Sequence, residues 1–329
     1  MKYSIQIQIS LQPENENEAH DNAEAILIAE KLCKKIGSLF EKVDVDYTIS
    51  KVENNQPLDE PIEQKPKAKP ISHLIDGIRY TLDDTNHTAT VVAHTKKYKG
   101  DIIIPQQISF NNLTYAVVAI DDWTFDGCIK LTSITLPETL TTIGEWAFLN
   151  CKALTSIRIP KSVTNIQYGA FGHCPALTNI VVDDNNPKYD SRDNCNAIVD
   201  TANDTIYMAC TGTSIPATIT TIAEGAFYDR PITSLYIPGN INKICSGACT
   251  FMKKLTEVTI AEGVKYIDNF VFAQCSQLKT ITLPSTIEFL GRDVFRHDNK
   301  LRTILVPQNT KSHFCKLLPE EYHPLVQEQ

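Results

Sequence analysis

Ten cysteines are the residues in this chain best suited to chemistry, and four of them keep a common slot. Cys128, Cys151 and Cys174 stand 23 residues apart, and Cys275 holds the same place in a later phrase. A cysteine reacts or binds metal as a thiolate, which needs a helping neighbour or a second thiol. No C-x-x-C pair occurs to support zinc. His173 precedes Cys174, so one reading is a thiol–imidazole pair. Sequence neighbours on a strand or turn point apart, however, and the slot recurs without histidine. The other reading is a buried ladder of small apolar thiols. Stacked strands lie ~4.8 Å apart, within reach of a bridge, but equivalent side chains point the same way. Cys195 and Cys210 differ. They lie equidistant from a polar turn at Ala202–Asn203, so a hairpin there could set them face to face, bridged in an oxidising compartment.

The remaining polar groups offer little. Asp121–Asp122 and Asp183–Asp184 are paired carboxylates in turn regions, read as calcium ligands or as solvated turn residues. The eight histidines are scattered. Nucleophile elbows, phosphate loops, zinc helices and dinucleotide fingerprints are missing from the sequence. The expectation is a protein without catalytic residues, metal or cofactor, and not an enzyme.

What the cysteine spacing does reveal is a repeat. Phe125, Phe148 and Phe171 recur every 23 residues, and Phe227, Phe272 and Phe295 occupy the same position later. The phrase reads most cleanly as LTSITLPETLTTIGEWAFLNCKAL over 131–154. A fixed period of this size marks a solenoid, one short unit stacked many times. Leu131, Ile134 and Leu136 point inward from a short strand that Pro137 ends, since proline cannot donate to a ladder. Ile143 and the Ala147–Phe148 pair bring the chain back, and Cys151 and Leu154 close the turn. About half a dozen buried apolar side chains supply ~1.5–3 kcal/mol each. Ordering each residue of a coil costs ~1.5 kcal/mol. A lone coil is therefore unstable and must stack.

The repeat is imperfect. Phe171 and Phe227 are 56 residues apart, which is 33 more than one period. The extra stretch, 183–215, reads as an inserted hairpin with strands at Ala197–Val199 and Ile206–Met208. Arg230 replaces the turn cysteine of the following coil, and Cys249 replaces the phenylalanine of the next.

Between the inward positions, alternate residues face out and would line a long parallel sheet. Arg158, Tyr236, Glu257, Thr135, Thr259 and Thr282 are the candidates for a ligand face, with Tyr and Arg the commonest interface anchors. The competing reading is that threonine is there for strand propensity alone.

Residues 1–52 read as strand, amphipathic helix and strand, a small β-α-β unit. It could pair two copies into a homodimer, dock elsewhere, or cap the solenoid. Residues 53–70 hold four prolines and many charges and read as a linker. The solenoid then runs over 71–329, with an opening cap at 71–110 and a C-terminal cap at 307–329. The overall class is α+β. The net charge is −8, and no stretch of sequence forms a basic stripe, which argues against nucleic acid. No apolar run reaches the ~20 residues that span a bilayer. The N-terminus lacks the apolar core of a secretory signal, so the chain as written reads as cytoplasmic.

The phrases IGEWAFLNCKALTSIRIP and YIDNFVFAQCSQLKTITLP resemble the BspA-type leucine-rich repeat family. The inserted YDSRDNCNAIVDTANDTIYMAC and the opening DGIRYTLDDTNHTATVV are also similar to segments of that family. The resemblance covers residues 72–315. It implies a leucine-rich-repeat solenoid and a non-enzymatic surface protein of anaerobic bacteria or protists, linked to adhesion. Three functions therefore stand at this point. The first is a protein-binding scaffold. The second is a surface or secreted adhesin whose export signal is missing from the chain. The third is a sensor whose effector activity lies in residues 1–52.

Overall fold

A computed structural model of the chain describes residues 71–329. The expected β-α-β unit, its pairing role and the linker lie outside the described residues. Within them the chain is a solenoid of short strands with little helix.

The first coil is built on hairpins. β1 (Ser72–Ile75) and β2 (Ile78–Asp83) are antiparallel across Asp76 and Gly77. Both turn residues have positive φ, 48° and 83°, which suits a tight two-residue hairpin. β2 pairs with β3 (Thr88–Val91). β5 (Gln107–Phe110) and β6 (Leu113–Ile120) form another hairpin across Asn111 and Asn112.

From there the chain winds between two ribbons of parallel strands. The first ribbon is discontinuous. One piece pairs β4 (Lys99–Ile103) with β7 (Lys130–Thr135), and a second pairs β9 (Ser156–Ile159) with β11 (Asn179–Val182). The third runs through β16 (Ser234–Ile237), β18 (Glu257–Ile260), β20 (Thr280–Thr282) and β22 (Thr303–Val306). The second ribbon uses two-residue strands. β6 leads to β8 (Thr142–Ile143) and β10 (Asn165–Ile166). Later come β15 (Thr221–Ile222), β17 (Lys243–Ile244), β19 (Tyr266–Ile267) and β21 (Phe289–Leu290). Pro137 and Pro160 begin the tight turns that link the ribbons, accepting from the amides of Leu140 and Val163 at 3.0 and 3.2 Å.

The other bend carries the Ala–Phe pair. Two residues with positive φ flank it in each coil, such as Trp146 (52°) and Asn150 (59°), or Phe270 (58°) and Gln274 (65°). These reversals aim amides along the solenoid axis. The Phe125 amide donates to Ala147 O at 2.7 Å, and the Phe148 amide to Ala170 O at 2.7 Å. Bulky residues seldom adopt such φ values. Trp146 is held there because its ring lies against glycines of the next coil. A Cβ added at Gly169 would meet that ring at 2.4 Å.

The inserted stretch forms β12 (Tyr189–Asp190), β13 (Ala197–Asp200) and β14 (Thr205–Ala209), and β14 continues into β15. This hairpin is buried on both faces and divides the interior. Ile198, Met208 and Cys210 face the core of the first coils, while Cys195, Ala197, Val199, Ile206 and Ala209 face the core of the later ones. The interior is therefore two adjoining cores, not the single continuous one a simple stack of coils implies. Two tyrosines from the hairpin complete the last short strand of the first stack. The Ile166 amide donates to Tyr189 Oη at 3.3 Å, and Tyr207 Oη donates to Ile166 O at 2.6 Å.

The far end is closed by α1 (Lys311–Leu317), a 3-10 turn (Glu320–Leu325) and β23 (Val326–Glu328). β23 pairs with β22, which covers the edge that the last coil would leave open.

Candidate functional site

The outward residues of the first ribbon form the candidate site. Strand register sets them in two columns on β16, β18, β20 and β22. Ser234, Glu257, Thr280 and Thr303 align in one, and Tyr236, Thr259, Thr282 and Leu305 in the other. The inward neighbours Leu235, Val258, Ile281 and Ile304 are buried and fix the strands' orientation. Tyr236 stands at the head of its column with 62 % of its surface exposed.

Thr135 and Arg158 lie on the earlier pieces of the ribbon. Thr135 is beside Ile103, which is 72 % exposed, and Arg158 is beside Val181, which is 42 % exposed. The six candidates thus divide into two groups. Tyr236, Glu257, Thr259 and Thr282 share one sheet, while Thr135 and Arg158 sit on two others. Arg158 is partly committed, since it pairs with Asp183 at 2.5 Å. Hydrogen bonds from the Asn185 amide, with Arg158 contributing less, lower the Asp183 carboxyl below its ordinary range.

The structural ladder is a column in the first stack. Phe125 and Phe148 are stacked at 4.9 Å and 4°, Phe148 and Phe171 at 5.0 Å and 5°. Phe227 belongs to the second core with Phe272 and Phe295, and the latter two stack at 6.3 Å. The cysteines do more than fill space. Cys151 Sγ donates to Phe125 O at 3.3 Å, Cys174 Sγ to Phe148 O at 3.1 Å, and Cys275 Sγ to Cys249 O at 3.2 Å. Each thiol reaches one coil back to the carbonyl at the phenylalanine slot. Cys128 lies buried at the start of this series. Burial pushes the Cys249 and Cys275 thiols well above the ordinary range.

Arg230 explains its own presence in this light. The inserted hairpin stands between its core and that of the preceding phenylalanine coil. The long guanidinium reaches across, donating to Phe171 O at 3.1 Å and Cys174 O at 3.4 Å. It is buried, and desolvation lowers its pKa.

Two chemical readings of the sequence are not supported by the geometry. His173 pairs with Asp229 and not with the Cys174 thiol, which is spent on a carbonyl. Cys195 and Cys210 are free thiols in different cores. The reason is a register shift between Ile198 and Val199. A one-residue slip sends a side chain to the opposite face of a strand. Of the carboxylate pairs, Asp122 accepts the Glu145 amide at 2.8 Å and Asp183 is engaged as above. No group of three metal-ligating side chains occurs among the described residues.

The bend also carries an aromatic strip that the sequence reading passed over. Trp146 touches Trp123, Tyr168 and Tyr228, and Tyr228 touches Phe251, at centroid distances of 5.1–5.9 Å. The signal was there in the aromatic residues within three positions of the phenylalanine slot.

The family model for the BspA type leucine rich repeat region matches residues 105–197 and 203–314 in six copies. No curated protein matches the chain in sequence. Among solved structures, a leucine rich cell surface protein from Faecalibacterium prausnitzii is 19 % identical, with a TM-score of 0.39, 76 % of this chain covered and 98 % of that one. A leucine rich repeat protein of T. pallidum is 22 % identical, with a TM-score of 0.40 and coverage of 74 % and 94 %. The pneumococcal vaccine antigen PcpA is 15 % identical, with a TM-score of 0.39 and coverage of 73 % and 82 %. The repeat phrase, the coil it builds and the family match over most of the chain lead to one conclusion: the chain belongs to the BspA-type leucine-rich repeat family.

Proposed function

We propose that the chain is a non-catalytic protein-binding scaffold whose partner lies along the first ribbon. The observation that carries this reading is the unbroken column Tyr236, Thr259, Thr282 and Leu305, held in register on parallel strands. A stiff sheet presents these side chains without an ordering cost at the moment of binding. Tyr236 supplies a large amphipathic anchor, and threonine and serine around it supply hydrogen bonds. Arg158 and Val181 offer a second contact area on the earlier coils. The test is Tyr236→Ala and Arg158→Ala in a pull-down. Loss of the same captured protein from both variants supports the reading, and undiminished capture by both overturns it.

The adhesive role that the family resemblance implies makes a surface protein the alternative. Protease treatment of intact cells decides between them: loss of the protein places it outside, and full protection favours an internal scaffold. For residues 1–52 the sequence favours a pairing role. Gel filtration with and without residues 1–70 checks this, and an identical monomeric elution for both forms removes it.

A further inference from the structure

Five cations gather on one flank of the last three coils. Lys253 and Lys254 belong to one coil, Lys279 to the next, and Lys300 and Arg302 to the third; all are exposed. They are up to 49 positions apart in sequence, yet the solenoid brings them into adjacent columns. The Lys279 amide donates to Thr256 O at 2.9 Å and the Arg302 amide to Lys279 O at 2.9 Å, so Arg302 sits one coil above Lys279. Lys300 Nζ donates to Gln277 Oε1 at 2.7 Å, which aligns it with Lys254 across the intervening coil.

Among the described residues none of the five is held in an ion pair. Lys243 and Lys265, by contrast, are paired with Asp268 and Glu288 at 2.9 Å, at the second ribbon. Glu257 is the carboxylate at the border of the flank. Between the cations stand neutral hydrogen-bonding residues, such as Ser276, Gln277 and Asn299, and the three coil segments 253–257, 276–280 and 299–303 contain no aromatic residue.

We propose that this flank is a docking surface for an anionic polysaccharide carrying sulfates or uronates. Parallel coils ~4.8 Å apart place the cations at regular intervals along a straight surface. An extended, evenly charged chain of sugars fits such a row, with its hydroxyls on the amides and hydroxyls between the cations. Single-stranded nucleic acid relies on aromatic stacking platforms, which the flank lacks. An acidic protein segment would call for an aromatic anchor at the centre of the interface, and the three segments hold none. The proposal is independent of the strand-face reading, since the cations lie beside the sheet and not on it.

The test is binding of the full chain to immobilised heparin, with neutral dextran as control. Binding to heparin and not to dextran is expected. Affinity should fall at least ~10-fold between about 50 and 200 mM salt, as released counterions require. Lys279→Glu with Arg302→Glu, and separately the milder Lys254→Gln with Lys300→Gln, should each weaken binding, the first by ~10-fold or more. Lys243→Gln with Lys265→Gln should leave it unchanged. Circular dichroism confirms that each variant is folded. The proposal is overturned if wild type does not bind heparin at low salt, or if both flank variants bind as wild type does. It is also overturned if poly-glutamate or an oligothymidine competes as well as soluble heparin, which would assign the flank to an acidic protein or to nucleic acid.

Discussion

Asp298 occupies the cysteine slot of the last coil, and this makes the stability of the chain depend on pH in a definite direction. The side chain is 7 % exposed, and neither carboxyl oxygen has a hydrogen-bond partner. Burial pushes its pKa from the ordinary 3.8 up to about 8. The nearby Cys275 amide opposes this to a smaller extent. Below pH 3.8 the acid is protonated in both the folded and the unfolded chain, and it contributes no pH dependence. Between 3.8 and about 8 the unfolded chain is ionised while the folded one holds its proton. Stability is therefore lost as pH rises through that window, at ~1.4 kcal/mol per pH unit, and the loss is complete above it. The full window gives an upper bound of ~6 kcal/mol. The effective dielectric of a protein interior, well above that of a dry medium, lowers the realised effect to ~2–3 kcal/mol. Asp298→Asn keeps the shape and removes the titration, and Asp298→Cys restores the thiol of the other coils. Urea unfolding followed by circular dichroism at about pH 5 and pH 8 reads the difference directly. Wild type should lose ~1.5–2 kcal/mol more than either variant over that interval. Equal losses in all three chains would refute the reasoning, and so would a wild type that gains stability relative to the variants.

Three further outcomes follow from the junction and the ladder. Arg230→Met keeps the stem but leaves Phe171 O and Cys174 O without donors, and should cost ~2–3 kcal/mol in the same urea assay; unchanged stability would show that the buried charge offsets what its hydrogen bonds contribute. Tyr207→Phe should cost ~1–1.5 kcal/mol, and adding Tyr189→Phe should speed exchange of the Ile166 amide measured by hydrogen–deuterium exchange. An unchanged exchange rate in the double variant would deny the tyrosines a part in splicing the two stacks. Cys151, Cys174, Cys195, Cys210 and Cys275 should resist iodoacetamide until denaturant is added, as read by mass spectrometry. Rapid native labelling of Cys174 would revive the thiol–imidazole reading, and a Cys195–Cys210 bridge under mild oxidant would contradict their separation.

The solenoid and its family could be read from the sequence because the information is local and repeated. Each coil needs large apolar groups at Ile143, Phe148 and Leu154, all fully buried, and a 23-residue period keeps those positions in register however many coils follow. What the sequence concealed depends on departures from that period. A single bulge in the inserted hairpin turns Cys210 away from Cys195, and nothing in the spacing of the cysteines announces it. The division into two cores follows from a hairpin apolar on both faces, a pattern that linear reading treats as one more strand pair. Arg230 and Asp298 look like random replacements until the thiols are seen to donate to carbonyls one coil back. The basic flank is invisible to any count along the chain, because its members come from three coils and are interspersed in sequence with acidic residues. The two strand-face columns were legible as alternation. That Tyr236 joins Thr259 and Thr282 while Arg158 lies on a separate piece of sheet was not, because the break in the ribbon comes from the same insertion.

The central claim is the proposed binding of a partner protein along the strand face. Site-specific photo-crosslinking measures this most directly, with the reactive residue placed at Tyr236, Thr259 or Arg158 on the first ribbon and at Thr220, Asn242 or Lys265 beside the second. The expected result is a discrete crosslinked protein from the first three positions and none from the others. Crosslinks of equal yield from both sets, or from the second ribbon alone, would contradict it.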